Sequence, residues 1–155
     1  MDFCLVINTC KGYYGNIDGL LDQLKTCKFH VLIVSGQEDD DAIVYENGIK
    51  IIKVKYTGTH LTSAIYINEN IHEYGNINYW LILPDTIIFG DNFFTNITMY
   101  YEKYLKNNEV YCLPFINPIL RPTMDMGILH TKHIINMGNY LNKIYSKRRG
   151  VEDKY

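Results

Sequence analysis

Short, almost wholly apolar stretches recur along the chain, and this pattern is typical of strands buried on both faces of a sheet. They lie at residues 3–8, 30–35, 79–83 and 110–115. A hairpin is predicted around Asn47-Gly48, because Asn-Gly between the β-branched runs at 43–45 and 49–56 favours a tight turn.

Between these stretches, apolar residues spaced three and four positions apart predict helices. The predicted helices contain Leu20, Leu21 and Leu24, then run from residue 59 or 62 to 74, from residue 91 or 92 to 105, and from 131 to 145. Strands that alternate with helices indicate an α/β fold with a mostly parallel sheet. We therefore expect one three-layer domain over residues 1–155, with a frayed tail at 146–155.

Composition narrows the possible functions. Fifteen basic and 17 acidic residues give a net charge of -2, which argues against a non-specific nucleic-acid binder. No apolar run reaches the roughly 18 residues that a membrane span requires. Asp2 stands where a signal peptide would carry a basic residue. The four cysteines form no CxxC pair, so we expect free thiols in a reducing, cytoplasmic compartment.

Candidate chemistry follows from where the predicted strands end. Ligands of such sheets bind beyond the carboxyl ends of the strands, which selects the loops at 9–16, 36–41, 84–86 and 117–125. Acids occur in three of them, at 38–41, Asp85 and Asp125. The simpler alternative is that these acids occupy solvated turns or cap helices. Neither GxGxxG, GxxxxGK[ST] nor GxSxG is present, which disfavours classical dinucleotide-binding, P-loop and α/β-hydrolase enzymes.

Two segments resemble the GT-A glycosyltransferases. The segment YWLILPDTIIFGDNFF, residues 79–94, has that family's aromatic and aliphatic strand ending in Asp, and PTMDMGILHTKHI, residues 122–134, resembles its acceptor-side segment. The resemblance implies transfer of a sugar from a nucleotide-diphosphate sugar, UDP-linked, to a hydroxyl of a glycan or protein acceptor. Small transferases of this kind occur in large DNA viruses, which would place the protein in the host cytoplasm.

The same resemblance implies which residues hold the nucleotide. Thr9 would approach the base or ribose, and Tyr13 would stack on the base. Glu38 or Asp39 would accept a hydrogen bond from the imide N–H of uracil or thymine.

For the reaction itself, the resemblance implies a divalent cation, Mn²⁺ or Mg²⁺, at Asp85. Asp125 would be the general base that takes the acceptor proton. His130 would add a metal ligand. An i, i+3 pair such as His130 and His133 can also bind metal, but without a convincing third ligand a surface or packing role is the simpler interpretation. Arg121 or Lys132 would stabilise the leaving diphosphate if the metal site is incomplete.

One departure from the family leaves alternatives open. Its second Asp is missing, since Leu83 and Ile87 flank Asp85 where a carboxylate would stand. The nucleotide and water could supply the remaining metal ligands, His130 could contribute, the enzyme could work without metal, or catalysis could have been lost. A non-catalytic domain of the same fold and a different α/β nucleotide-binding enzyme are the competing hypotheses. The stereochemical outcome and the oligomeric state, a homo-oligomer included, stay open.

Overall fold

The computed structural model describes residues 2–58, 61–107, 112–116 and 122–141, with the backbone alone for 112–116 and 122–125. Its strands are β1 (Phe3–Cys10), β2 (His30–Gly36), β3 (Ala42–Glu46), β4 (Ile49–Lys53), β5 (Tyr79–Pro84), β6 (Cys112–Ile116) and β7 (Pro122–His130). Its α-helices are α1 (Ile17–Leu24), α2 (Thr62–Glu69), α3 (Phe93–Tyr100) and α4 (Thr131–Asn136). Short 3₁₀ segments at Lys11–Asn16 and Ile71–Tyr74 and a π-helical turn at Tyr101–Leu105 complete the elements.

The strands described form one seven-stranded sheet in the order β3-β4-β2-β1-β5-β7-β6. Strands β4, β2, β1 and β5 are mutually parallel at its centre, whereas β3 and β7 run antiparallel to their neighbours. The predicted α/β fold with a mostly parallel sheet is confirmed. The chain passes from β1 through β2 to β4 and then returns to β5 on the other side of β1, so the winding direction reverses between β1 and β5.

The sheet has an apolar layer on each face because alternate residues of a strand point to opposite sides. Phe3, Leu5 and Ile7 pack on one face, against α1 and α3. Cys4 and Val6 pack on the other face, against α2 and α4. Both faces of the central strands are therefore covered, which explains why their sequences are continuous apolar runs rather than alternating ones.

Polar contacts fix the first strand and the final helix at the amino edge of the sheet. The Asp2 carboxylate accepts hydrogen bonds from the Tyr101 hydroxyl and from Asn78. Burial alone would raise the pKa of Asp2, but these two hydrogen bonds outweigh it, so the pKa lies below its ordinary value. Trp80 is fully buried and donates its indole N–H to the hydroxyl of Thr131 at 2.8 Å.

The structure differs from the sequence prediction in its last third. We expected a loop over residues 117–125, but Pro122–His130 is strand β7, which places Asp125 in a strand. The predicted helix over 131–145 is divided, since α4 ends at Asn136 and residues 138–141 are helical again. The predicted tail at 146–155 lies outside the described residues. Within the part of the chain that is described, no helix has the length and apolar character needed to cross a membrane.

Candidate functional site at the carboxyl edge of the sheet

A buried hydroxyl and a carboxylate meet where the winding of the sheet reverses. Thr9 is near the end of β1, and Asp85 directly follows β5. The Thr9 hydroxyl donates a hydrogen bond of 2.5 Å to the Asp85 carboxylate. Thr9 is only 5% exposed, whereas Asp85 is half-buried and reaches solvent. Ligands of open α/β sheets bind in the crevice at such a reversal point. The Thr9–Asp85 pair therefore marks a candidate binding site.

The pair continues a row of polar side chains across the carboxyl edge. Strand register pairs Thr9 with Ser35 and Ser35 with Lys53. Residues paired in register point to the same face of a sheet. Two positions earlier in β1, β2 and β4, the side chains on that face are the fully buried Ile7, Ile33 and Ile51. The apolar layer therefore ends in a polar row formed by Lys53, Ser35, Thr9 and Asp85. We call these four residues the edge row.

Glu38 joins the edge row through Ser35. The Ser35 hydroxyl donates to the Glu38 carboxylate at 2.6 Å. The backbone at Gln37 has a positive φ of 57°, and the N–H groups of residues 37 and 38 donate to Tyr56 and Val54 carbonyls at 3.0 Å each. This turn folds the loop back over the strand end, so Glu38 lies beside the edge row.

Asp39 makes a different contact from its neighbour. Its carboxylate forms an ion pair with Lys11 at 2.6 Å, and the two side chains are well exposed. The hydrogen bond with Lys11 lowers the pKa of Asp39, and the same bond raises the pKa of Lys11. Exposed pairs of this kind contribute little to stability. The pair instead links the loop after β1 to the loop after β2.

Two adjacent tyrosines in the loop after β1 behave differently. Tyr13, the predicted base-stacking residue, is 62% exposed. Tyr14 is held in place, since its hydroxyl donates to Glu46 at 3.1 Å and the Lys53 ammonium lies 5.1 Å from its ring centroid. Burial and then the Glu46 carboxylate raise the pKa of Tyr14 to about 12, so its hydroxyl stays protonated at neutral pH.

Asp125 belongs to the first part of β7, residues 122–125, of which only the backbone is described. Gly127 pairs with Ile82 near the end of β5, so the backbone two residues earlier lies near the carboxyl edge. The register between β6 and β7 shifts over this stretch, from Pro114 opposite Gly127 to Ile116 opposite Pro122. Bulges of this type occur often beside active sites. Arg121, the predicted partner of the diphosphate, lies outside the described residues.

The structure does not bring His130, the second predicted metal ligand, close to Asp85. His130 is paired with Tyr79, the first residue of β5, whereas Asp85 follows the last residue of that strand. A strand rises about 3.3 Å per residue, so His130 and Asp85 lie near opposite ends of β5. His130 is buried, and its Nδ1 accepts the backbone N–H of Lys132 at 2.9 Å. Lys132 follows His130 in α4, so its backbone lies at the same amino edge and far from Asp85.

A divalent cation finds few ligands at the edge row. Among the side chains that are described, no group of three or more His, Cys, Asp or Glu residues is placed to hold a metal ion. Asp85 brings a single carboxylate, and one of its oxygens already accepts from Thr9. Mn²⁺ and Mg²⁺ require several hard oxygen ligands. The side chains that are described therefore do not by themselves form a complete metal site.

A concavity lies at the opposite, amino edge of the sheet. This cavity of about 430 Å³ is lined by residues that include Cys4, Cys27, His30, Lys50 and Tyr74. None of the residues that the sequence singled out as functional lines it. The cavity and the edge row are thus separate regions at opposite ends of the parallel strands.

Comparison with known proteins finds similarity at the level of the fold. No protein-family model matches the chain, and no curated protein matches it significantly. Among solved structures, the apo form of the glycosyltransferase GlyE from Streptococcus pneumoniae TIGR4 is similar, with a TM-score of 0.50 and 16% sequence identity. The match covers 100% of this chain and 39% of that one, so the chain spans about two fifths of that protein's length. At this identity the likeness shows a glycosyltransferase-like fold and no more.

Proposed function

We propose that the chain is a glycosyltransferase of the GT-A type that binds a UDP-linked sugar at the carboxyl edge. It transfers the sugar to a hydroxyl of a glycan or protein acceptor. The observation that carries the proposal is the hydrogen bond between Thr9 and Asp85 at the reversal point of a glycosyltransferase-like sheet. An origin in a large DNA virus, with action in the host cytoplasm, belongs to the same proposal.

The nucleotide is assigned to the β1 and β2 side of the crevice. Thr9 lies against the ribose, and the exposed Tyr13 ring stacks on the base. Glu38 accepts the imide N–H of uracil with the carboxylate oxygen that is not bonded to Ser35, and Asp39 is the alternative acceptor. The described geometry supports Glu38 over Asp39, because Ser35 orients the Glu38 carboxylate beside the edge row, whereas Asp39 points to the exposed Lys11.

The sugar and the acceptor are assigned to the β5 and β7 side. The acceptor oxygen attacks the anomeric carbon, its new C–O bond replaces the bond to the diphosphate, and the diphosphate leaves with the electron pair. We assign the acceptor proton to the Asp125 carboxylate, a role that contributes about 10² to 10⁴-fold in comparable enzymes. Asp85 orients the donor sugar by accepting hydrogen bonds from its hydroxyls, and Thr9 fixes the direction of its carboxylate.

Titration calorimetry tests the binding step. Wild type is titrated with UDP and with UDP-sugars, with and without Mn²⁺, beside Asp85→Asn and the control Asp22→Asn. An asparagine keeps an oxygen for the Thr9 hydroxyl, so Asp85→Asn removes charge rather than the local fold. Asp22 is exposed near the end of α1 that lies away from the crevice. The proposal predicts weaker binding of UDP-sugars by Asp85→Asn alone; no binding by wild type, or equal binding of UDP-sugars by all three proteins, contradicts it.

A non-catalytic nucleotide-binding domain is the second candidate. It is favoured by the single carboxylate at Asp85 and by the absence of a metal-ligating group among the described side chains. Release of free sugar from a UDP-sugar distinguishes the two. Turnover that disappears in Asp125→Asn supports the transferase, whereas UDP binding without turnover for any UDP-sugar favours the binding domain.

A further inference from the structure

Strand β3 is an edge strand with exposed apolar side chains. It stands at one end of the sheet order, and β4 is its neighbour among the described strands. Ile43 and Tyr45 point to the same face and are 55% and 67% exposed. Proteins commonly block such edges with Lys, Pro or a bulge. Residues 42–46 contain neither Lys nor Pro, and their register with β4 is unbroken, so β3 is open to pairing with a further strand.

The turn at Asn47-Gly48 determines which backbone groups of β3 face the open edge. The two turn residues have φ of 52° and 79°, as in the type I′ turn of a two-residue hairpin. Such a turn closes on a hydrogen-bonded pair, here Glu46 and Ile49. Hydrogen-bonded pairs alternate along an antiparallel ladder, so Ile43 and Tyr45 direct their backbone N–H and C=O groups away from β4.

A second copy of β3 fits these groups in one antiparallel register. With Val44 opposite its own counterpart, Ile43 of each copy lies opposite Tyr45 of the other. Residues with outward backbone groups then face each other, and each pair exchanges both of its N–H···O=C bonds. A shift by one residue puts outward groups opposite groups that already bond to β4. A shift by two residues puts Asp41 opposite Tyr45, or Asn47 opposite Ile43. The register centred on Val44 is therefore the favoured one.

The side chains on the α2 face also match in this register. Ile43 of each copy packs beside Tyr45 of the other, and pairs of aromatic and β-branched residues stabilise antiparallel strands. Within each copy, Ile43 is paired with Ile52, which is buried in the apolar layer that includes α2. The contact therefore extends that layer from one copy into the other and covers apolar surface that is exposed in the single chain.

The charges on the opposite face are complementary. Glu46 is the charged residue of β3, and in this register it lies opposite Ala42 of the second copy. Lys53 is paired with Ala42 on β4, so Glu46 of one copy and Lys53 of the other lie on the same face. Two strand spacings of about 4.8 Å put their backbones about 10 Å apart. The register thus brings opposite charges toward each other and places no acid of β3 opposite another acid, which favours a second copy as the partner.

We infer that two copies of the chain form a two-fold symmetric dimer by pairing their β3 strands into one continuous sheet. The pairing is isologous, because the same residues contribute from both copies. Five-residue strands form a small contact beside the about 1,200 Å² of stable interfaces, so we expect a dissociation constant of about 100 µM. The inference goes beyond the proposed function and does not rest on it, since Thr9 belongs to β1, three strands from β3.

Sedimentation velocity of the full chain, at concentrations from about 10 to 500 µM, tests for association. Tyr45→Glu should raise the dissociation constant about tenfold, because it puts a charge beside Ile43 of the other copy. Glutamate suits the single chain, since Tyr45 is paired with Lys50 on β4. Tyr140→Glu is the matched control, because Tyr140 is also exposed but follows α4. It should associate as wild type does.

Oxidative cross-linking tests the register. Residues opposite each other between hydrogen-bonded pairs have Cα atoms about 4.5 Å apart, which a disulfide can span. Val44 and its counterpart form such a pair, so Val44→Cys should cross-link. Ala42→Cys is the control, because Ala42 and its counterpart are four residues out of register, about 13 Å along the strand. We expect about fivefold more cross-linked dimer from Val44→Cys than from Ala42→Cys or wild type, whose native cysteines report the background.

The outcomes separate the dimer from its alternatives. Association that weakens in Tyr45→Glu but not in Tyr140→Glu, with cross-linking at Val44→Cys, supports the inference. A wild type that stays monomeric over the whole range overturns it, and so does association that both glutamate variants leave unchanged or weaken equally. Equal cross-linking of Val44→Cys and Ala42→Cys also overturns it, and this result decides the matter if Tyr45→Glu does not fold. Failure of UDP to bind overturns the proposed function alone.

Discussion

Replacing Thr9 with valine removes one hydroxyl from the candidate site without changing the side-chain shape. The hydroxyl is buried and donates to the Asp85 carboxylate at 2.5 Å. Hydrogen bonds to charged groups contribute about 1.5–3 kcal/mol to stability. Because Asp85 is half-buried and water can solvate it, we expect the lower part of this range, about 1.5–2 kcal/mol. For a chain of this size, that corresponds to a fall in Tm of about 3–8 °C.

The assay is urea denaturation in a double-mutant cycle with Asp85→Ala. If the two side chains interact as the structure shows, the double variant loses less free energy of unfolding than the two single losses combined. We expect a coupling energy of about 1 kcal/mol or more. Thr98→Val is the control, because that hydroxyl donates to the Phe94 carbonyl within α3, so its loss should add to that of Asp85→Ala. Additivity within about 0.5 kcal/mol for Thr9→Val and Asp85→Ala would refute the contact.

Three further predictions concern the scaffold. Asp2→Asn should destabilise the protein at pH 6, and the deficit should shrink in acid, because the pKa of Asp2 is lowered and its contribution is lost as pH falls through the folded-state value. Urea titrations over a series of acid pH values test this, and a constant deficit would contradict it. Trp80→Phe should cost about 2 kcal/mol by removing buried area and the hydrogen bond to Thr131, measured by circular dichroism; an unchanged melting curve would count against it. Gly58→Ala should lower Tm, because an added Cβ would lie 3.0 Å from the backbone at the start of α2. A Cβ added at Gly75 would meet no atom within 4 Å, so Gly75→Ala should leave Tm unchanged. Equal Tm values for the two variants would contradict the close packing at Gly58.

Much of the central sheet could be predicted from the sequence because its strands are buried on both faces. A continuous apolar run such as that of β1 or β5 has few other places in a folded chain. Asn47-Gly48 likewise predicts its turn, and both residues have positive φ in the structure. Strand β7 was missed because Pro122 and Gly127 interrupt its pattern, and pairing with β5 and β6 overrides those local preferences.

The site was predictable as far as strand ends determine it. The rule that ligands bind at the carboxyl edge selected the loops that contain Thr9, Glu38 and Asp85, and the resemblance named those residues. The structure brings Thr9 into contact with Asp85, and Glu38 accepts a hydrogen bond from the adjoining Ser35. Ser35 and Lys53 were missed because only the strand order and register align them with Thr9. The position of His130 depends on the direction of β7, which the sequence does not show.

Tyr14 illustrates a limit of a different kind. Two adjacent tyrosines in a polar loop are equivalent by composition, and the sequence analysis favoured Tyr13. The structure separates them because Tyr14 reaches Glu46 and Lys53, which belong to the β3–β4 hairpin far along the chain. The signal that could have found Lys53 is the two-residue period of β4, which puts it in the same column as the buried Ile49 and Ile51.

Hydrogen exchange with and without saturating UDP tests the central claim most directly, because it locates the ligand without assuming any residue's role. The carboxyl edge carries the polar edge row and the amino edge carries a cavity, so the segments that UDP protects show which edge binds it. The account predicts that UDP slows exchange in the carboxyl-edge segments 9–16, 35–41 and 84–92 and leaves the amino-edge segments 27–32, 47–50 and 74–78 unchanged. Protection confined to the amino-edge segments would place the ligand in the cavity at that edge and contradict the account.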